Sequence, residues 1–226
     1  MSPPSASGPI LQHVQHWVFD LDDTLYPPEA AVMALVQGRI NDFMIRACGL
    51  EPEAARTLQK RYLTDHGTTL AGLMLNHRVD PRAFLDEVHE VSLDKLMPDP
   101  VLREGLLRLP GRRLVFTNGS ARHAERVLEK MALADLFEDV FHIEAADLIP
   151  KPDPRAFHGL IRRHGVEPRA AAFFEDTARN LEPAAQLGMT TILVGPRALT
   201  DAPPYVDHRT ERLPPFLNAL TFGEPR

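Results

Sequence analysis

A chain of 226 residues that is 44% hydrophobic and 25% charged can bury one mid-sized core, or a core with a smaller insertion. Its net charge of −6 at pH 7 and its lack of a basic block exclude the electrostatic footprint of a nucleic-acid or anionic-membrane binder. Cys48 is the single cysteine, which excludes an internal disulfide and a C-x-x-C zinc site. No apolar run approaches the roughly 20 residues that span a bilayer, so a soluble, cytoplasmic protein is the expectation.

Residues 1–10, MSPPSASGPI, are rich in Pro, Ser and Gly and read as a disordered leader without the basic and apolar regions of a secretory signal. HVQHWVFD (13–20) reads as a buried strand that runs into an acid. The block from Pro27 to Leu109 then looks helical almost throughout. In 30–49 the apolar residues Val32, Leu35, Val36, Ile40, Phe43 and Met44 fall at helical spacing, with Gly49 as a C-cap. Residues 51–67 begin with Pro52 in a first turn and stop at Gly67. TTLAGLMLNHRV and PRAFLDEVHEVSLDKL add two more helical segments, with Leu70, Leu73 and Leu75 read as core.

From Arg112 the pattern alternates. RRLVFTNGS (112–120), DVFHIEA (139–145), AAAFFEDT (170–177) and TTILVG (190–195) read as strands separated by amphipathic helices. Alternation predicts an α/β fold built on a Rossmann-like parallel sheet. The core is expected at 11–26 and 110–226. Residues 27–109, too long for a single crossover helix, read as a small helical cap inserted after the first strand. The Pro-rich tail from Pro196 is either a final packed element or a mobile segment.

In open parallel sheets, ligands sit outside the carboxyl ends of the strands. The first strand delivers Asp20 there, with Asp22, Asp23 and Thr24 just beyond, and the second delivers Thr117, Asn118 and Gly119. Lys151 follows the third strand, and Glu175 and Asp176 end the fourth. Each of these residues alone is an ordinary turn or capping residue. Together they crowd like charges into one crevice, which costs stability unless a cation neutralises them. An all-oxygen donor set points to Mg²⁺, held by the side chains of Asp20 and Asp176 and the backbone carbonyl of Asp22. Glu175 would act through water, and Asn180 would orient a ligand.

Residues two apart on an extended backbone point the same way, so Asp20 and Asp22 can address one phosphorus. Asp20 is then the nucleophile, and Asp22 the acid that protonates the leaving oxygen and later activates water. Thr117, the Asn118 backbone N–H and the charge of Lys151 would clamp the phosphoryl group, with Pro152 helping to aim the lysine. Asp23 and Thr24 read as local capping residues.

FDLDDTLYP (19–27), TNG (117–119), KP (151–152) and EDTARN (175–180) resemble, in order, the four motifs of the haloacid dehalogenase superfamily. That resemblance implies the same Rossmann-like core, helical cap, Mg²⁺ cofactor and nucleophilic Asp20. DDTLYP, HGTTLAGL (66–73) and TNGSARHAERVL (117–128) are similar to the pyrimidine 5′-nucleotidases, which implies a nucleoside monophosphate as the small-molecule phosphate ester. Where the family's fourth motif often ends in an acid, this chain has Asn180. In the cap, His66, Thr68 and Thr69 are candidates to meet the substrate. Phosphoglycolate or a sugar phosphate, a phosphomutase, a phospho-accepting receiver and a binding-only member of the fold are the alternatives. A carbon-halogen hydrolase needs no second acid, so Asp22 argues against that chemistry.

Overall fold

The structure, a computed structural model, describes residues 11–222, so the expected leader at 1–10 lies outside the described residues. Six strands form one parallel sheet: β1 (His16–Phe19), β2 (Arg112–Phe116), β3 (Asp139–Phe141), β4 (Ala171–Glu175), β5 (Thr190–Val194) and β6 (His208–Thr210). Their spatial order is β3-β2-β1-β4-β5-β6. The chain therefore builds outward from β1 on one side, then crosses back to place β4 against β1 on the other. Ligands bind at such a switch point, outside the carboxyl ends.

Successive strand residues face opposite ways, and both faces are covered by helices. Trp17, Phe19, Val115 and Phe174 point into one apolar layer with α5 (Pro100–Leu107), α6 (Ala121–Lys130) and α9 (Leu213–Ala219). Val18, Leu114, Phe116 and Phe173 point into the other, with α7 (Pro154–His164) and α8 (Ala178–Leu187). Three Asp-Pro pairs start helices by the same local chemistry. Asp80, Asp99 and Asp153 each accept a first-turn backbone N–H, while the proline that follows gives up an N–H the helix cannot use.

The remaining helices are α1 (Val32–Cys48), α2 (Pro52–His66), α3 (Thr69–His77) and α4 (Pro81–Val88). They pack around a third apolar cluster containing Met44, Tyr62, Leu73 and Phe84. Gly72 is required there: a Cβ at that position would sit 2.3 Å from the Tyr62 ring. The helical block 27–109 divides between clusters. The start of α1, the connection holding Val91, Leu93 and Leu96, and α5 all pack with Trp17 on the sheet.

Several expectations need correction. The predicted helix over PRAFLDEVHEVSLDKL stops at Val88, because Val91, Leu93 and Leu96 are buried against the sheet from a non-helical connection. The predicted strand 139–145 keeps only Asp139–Phe141, since His142 to Ala145 turn back on themselves. Leu75, read as core, is 73% exposed. The tail packs: β6 pairs with β5, and α9 covers the sheet beside α5. No helix among the described residues is long and apolar enough to cross a membrane.

Candidate active site

The sheet carries its polar residues to one end. Asp20 follows β1 and its backbone N–H donates to Phe174 O at 2.9 Å, which seats it beside the end of β4. Thr117 follows β2, Glu175 closes β4, and Asp176 comes next. Lys151, on the loop after β3, is 1% exposed. These residues, with Asp22, Asn118 and Asn180, line one cleft of about 810 Å³ between the sheet and the helices α1 to α4.

Lys151 organises the floor. Its Nζ donates to Asp20 Oδ1 at 2.7 Å, to Glu175 Oε2 at 2.8 Å and to Phe116 O at 2.7 Å. The ammonium also lies 5.0 Å from the Phe116 ring centroid and 5.3 Å from that of Phe173. An ammonium has three protons, and all three have protein acceptors. Lys151 therefore acts on the cleft chiefly as a fixed charge, and a direct hydrogen bond to a ligand would require it to release one of these partners. Burial alone would lower its pKa, but the Asp20 and Glu175 carboxylates outweigh that and hold it raised.

Three carboxylates, those of Asp20, Glu175 and Asp176, bring oxygen atoms within 4.8 Å of one another. Burial first, then the Glu175 charge, pushes Asp20 up to about 7. Burial likewise pushes Glu175 and Asp176 up to about 7, with Asp20 adding to the rise at Asp176. One lysine does not balance these charges, so the donor set fits a hard divalent cation such as Mg²⁺. Both Glu175 oxygens already accept protein donors, Lys151 Nζ and the Thr177 N–H at 3.1 Å. Asp20 Oδ2 has only a 3.3 Å bond from Thr24, and Asp176 has 3.5 Å contacts with the Thr177 hydroxyl and lies against the Glu175 carboxyl. The last two are the freer ligands. Asn180 is buried nearby, and its Oδ1 has no partner among the described residues.

The Asp22 carboxylate stands outside that trio, although it faces the same cleft. Its Oδ1 accepts from the Tyr26 hydroxyl at 2.5 Å and from His123 Nε2 at 2.7 Å. Burial would raise its pKa, but the His123 and Tyr26 contacts outweigh burial and hold it below the usual carboxylate range. Asp22 and Asp20 thus leave the same strand into opposite electrostatic surroundings. Gly119 keeps the space between β2 and Asp22 open: a Cβ there would lie 3.2 Å from Thr117 Oγ1 and 3.5 Å from Asp22 Oδ2.

Thr24 makes a local bond, donating to Asp20 Oδ2 at 3.3 Å from outside the cleft lining, whereas the capping role expected of Asp23 fails. Asp23 Oδ1 is buried without a partner among the described residues, and burial followed by the Asp22 and Asp20 charges pushes its carboxyl up to about 6. Thr68 caps α3 by accepting from the Ala71 N–H at 3.1 Å, and with Thr69 it also lines the cleft. The His66 ring lies tilted against Tyr62, 5.7 Å between centroids, outside the cleft lining. Sequence reasoning did not find Tyr26, His123 or the cleft-lining Asn41. The first lies one helical-turn spacing from Asp22, within the stretch DDTLY. The other two carry no local signal.

A parallel sheet that gathers a lysine and paired acids at its carboxyl edge under a helical layer defines an α/β enzyme. The profile of the haloacid dehalogenase-like hydrolases matches residues 14–188, and the chain belongs to that family. It is 29% identical over 192 residues to Phosphate metabolism protein 8 of Saccharomyces cerevisiae, covering 77% of this chain and 60% of that protein, and so spans less than two thirds of that relative's length. It is 26% identical over 199 residues to the Glyceraldehyde 3-phosphate phosphatase of Methanopyrus kandleri, covering 78% and 82%. Among solved structures, the HAD phosphatase from Thermococcus onnurineus superposes with a TM-score of 0.60 at 21% identity, covering 88% of this chain and 94% of that one. L-2-haloacid dehalogenase from Xanthobacter autotrophicus superposes with a TM-score of 0.55 at 17% identity, covering 91% and 97%. These superpositions speak to the fold alone.

Proposed function

We propose that the protein is a Mg²⁺-dependent phosphate monoester hydrolase working through an aspartyl phosphate on Asp20, with pyrimidine nucleoside 5′-monophosphates as its substrates. The observation that carries this reading is the division of labour between the two acids after β1. Asp20 is oriented by Lys151 at 2.7 Å, while Asp22 is oriented separately by Tyr26 and His123. A carbon-halogen hydrolase would have no use for the second, independently held acid.

In this reading the entering phosphate ester's negative charge raises the Asp22 pKa and lets it take up a proton; Asp20 attacks phosphorus, the phosphorus–oxygen ester bond breaks, and Asp22 gives that proton to the departing alkoxide. Water then attacks the acyl phosphate, Asp22 accepts the proton of that water, and inorganic phosphate leaves with Asp20 restored. Thr117 and the Asn118 N–H contribute donors for the phosphoryl oxygens, and Lys151 contributes its charge. A Mg²⁺ held by Asp20, Asp176 and the Asp22 backbone carbonyl would supply charge neutralisation at the phosphoryl group.

The helices of 27–109 act as the cap, and by packing its independent part is α1 to α4. Its side of the cleft offers apolar surface from Val36, Ile40, Leu70 and Phe84, suited to a base. Asn41 is 8% exposed there, and its Oδ1 has no partner among the described residues, as a group awaiting a hydrogen-bonding ligand would. A cytoplasmic setting fits such a substrate. The relationship to the Methanopyrus enzyme favours a second reading, a small sugar or triose phosphate. A phosphate-release screen over nucleoside monophosphates and small phosphate esters decides: preference for UMP or CMP is the expected result, and preference for a triose phosphate would select the second reading.

A further inference from the structure

We propose that His123 is the positioning residue that aligns Asp22 for proton transfer, and that His89, at the end of the helical layer, holds the His123 ring in place. The inference rests on the phosphatase reading and deepens it, giving His123 a defined role in proton transfer and adding His89, which that reading does not use. His123 lies in the first turn of α6, is 0% exposed, and reaches Asp22 Oδ1 at 2.7 Å. Tyr26 takes the same oxygen. Asp22 Oδ1 is thereby occupied twice, which leaves Oδ2 as the oxygen free to take up and release a proton. Oδ2 is the atom that borders Gly119 beside the Thr117 hydroxyl, on the side where a phosphoryl group would be clamped.

An imidazole that aligns a carboxylate is normally fixed through its other nitrogen. His123 Nδ1 is buried with no partner among the described residues, so no second hydrogen bond fixes this ring. A stack does. The His89 ring lies 4.6 Å away, centroid to centroid, with 20° between planes. His89 is itself anchored: its Nδ1–H faces Leu85 O at 3.0 Å and Ser120 Oγ at 3.1 Å. Arg126 of α6 donates to His89 O and Val91 O, both at 2.8 Å. His89 follows α4 directly and lines the cleft, so the helical layer and the acid of the sheet share one stacked pair.

The test exploits leaving groups. Nitrophenolate departs without a proton, whereas phenolate gains from one, and kcat/KM reports the step in which the ester bond breaks. His123→Leu should cut kcat/KM for phenyl phosphate by about 10–10² fold, part of the range for general acids. Its effect on p-nitrophenyl phosphate should be several-fold smaller. His123→Gln, which can replace the donor, should restore the wild-type ratio of the two esters. His89→Ala, which leaves His123 in place but removes the stack, should shift the ratio in the same direction by a smaller factor, and keeps the test open if His123→Leu does not fold. Equal losses on both esters, or no rescue by Gln, would overturn the assignment. No hydrolysis of either ester by the unaltered protein would instead remove the phosphatase reading beneath it.

Discussion

Asn118 and Lys151 grip each other through a reciprocal pair of hydrogen bonds: Lys151 N–H donates to Asn118 Oδ1 at 2.8 Å, and Asn118 Nδ2 donates to Lys151 O at 3.1 Å. The side chain that follows Thr117 thus ties the end of β2 to the loop that delivers the lysine. Asn118→Ala should cost about 1–3 kcal/mol of stability, the usual result of stranding partly buried backbone groups. It should also lower kcat, because the Lys151 ammonium loses its registration on Asp20. Urea denaturation and steady-state kinetics measure the two effects. Wild-type stability would mean that the loop is held by other contacts.

Asp20→Asn removes the proposed nucleophile while keeping its shape. Turnover should vanish, and no phosphoenzyme should accumulate when the variant is quenched with acid and analysed by mass. The fold should survive, since the amide also relieves a crowded carboxylate. Normal turnover in a folded variant would end the nucleophile assignment.

Asp22→Asn should slow hydrolysis of alkyl phosphates by on the order of 10²–10⁴ fold, the usual worth of a general acid-base group. Divalent cation affinity should change little, because the Asp22 carboxylate lies outside the Asp20, Glu175 and Asp176 trio. Titration calorimetry with Mg²⁺ measures the affinity. Parallel loss of metal binding and activity would make Asp22 a ligand instead.

The carboxyls of Asp20, Glu175 and Asp176 are pushed up to about 7 by burial and by one another, from 3.8 for the aspartates and 4.5 for the glutamate. A raised carboxyl pKa means that the folded state binds the proton more tightly than the unfolded chain. Its stabilising contribution is complete below the unfolded value and is lost as pH climbs through about 7. In chelator, melting temperature should therefore fall between about pH 4.5 and pH 7.5, and Mg²⁺ should raise it more at pH 8 than at pH 5.5. Asp176→Asn should flatten the pH dependence. A Mg²⁺ increment that is the same at both pH values would contradict the coupling.

Gly72→Ala would drive a methyl into the Tyr62 ring, where α3 crosses α2. Overpacking of this kind costs about 1–3 kcal/mol. The damage should be confined to the cluster around Met44 and Leu73, so hydrogen exchange should quicken in α2 and α3 while the sheet stays protected. Uniform loss of protection would show that the helical layer and the sheet unfold as one.

The acids that flank the strand ends were legible because their placement is a local matter. An apolar run such as HWVF ends in an acid, and a parallel sheet sets all such ends along one edge. Asp20, Thr117, Glu175 and Asp176 reach that edge in this way, and Lys151 reaches it from the loop after β3. Helix starts were equally local, written in the Asp-Pro pairs at Asp80, Asp99 and Asp153. The extent of α4 was not, since Val91, Leu93 and Leu96 continue an apolar pattern that the sheet, not a helix, satisfies.

The order of residues alone determined that this chain forms a parallel α/β sheet with its carboxylates and one lysine at the carboxyl edge, because alternation and strand ends are short-range properties. Tertiary structure decided which of two neighbouring acids is paired with a lysine and which with a histidine. Lys151 is 131 residues from Asp20, and His123 is 101 residues from Asp22. Partners so far apart meet only once strand order and helix packing are set, and in a buried crevice the nearest charge and the loss of water dictate what each carboxyl can do.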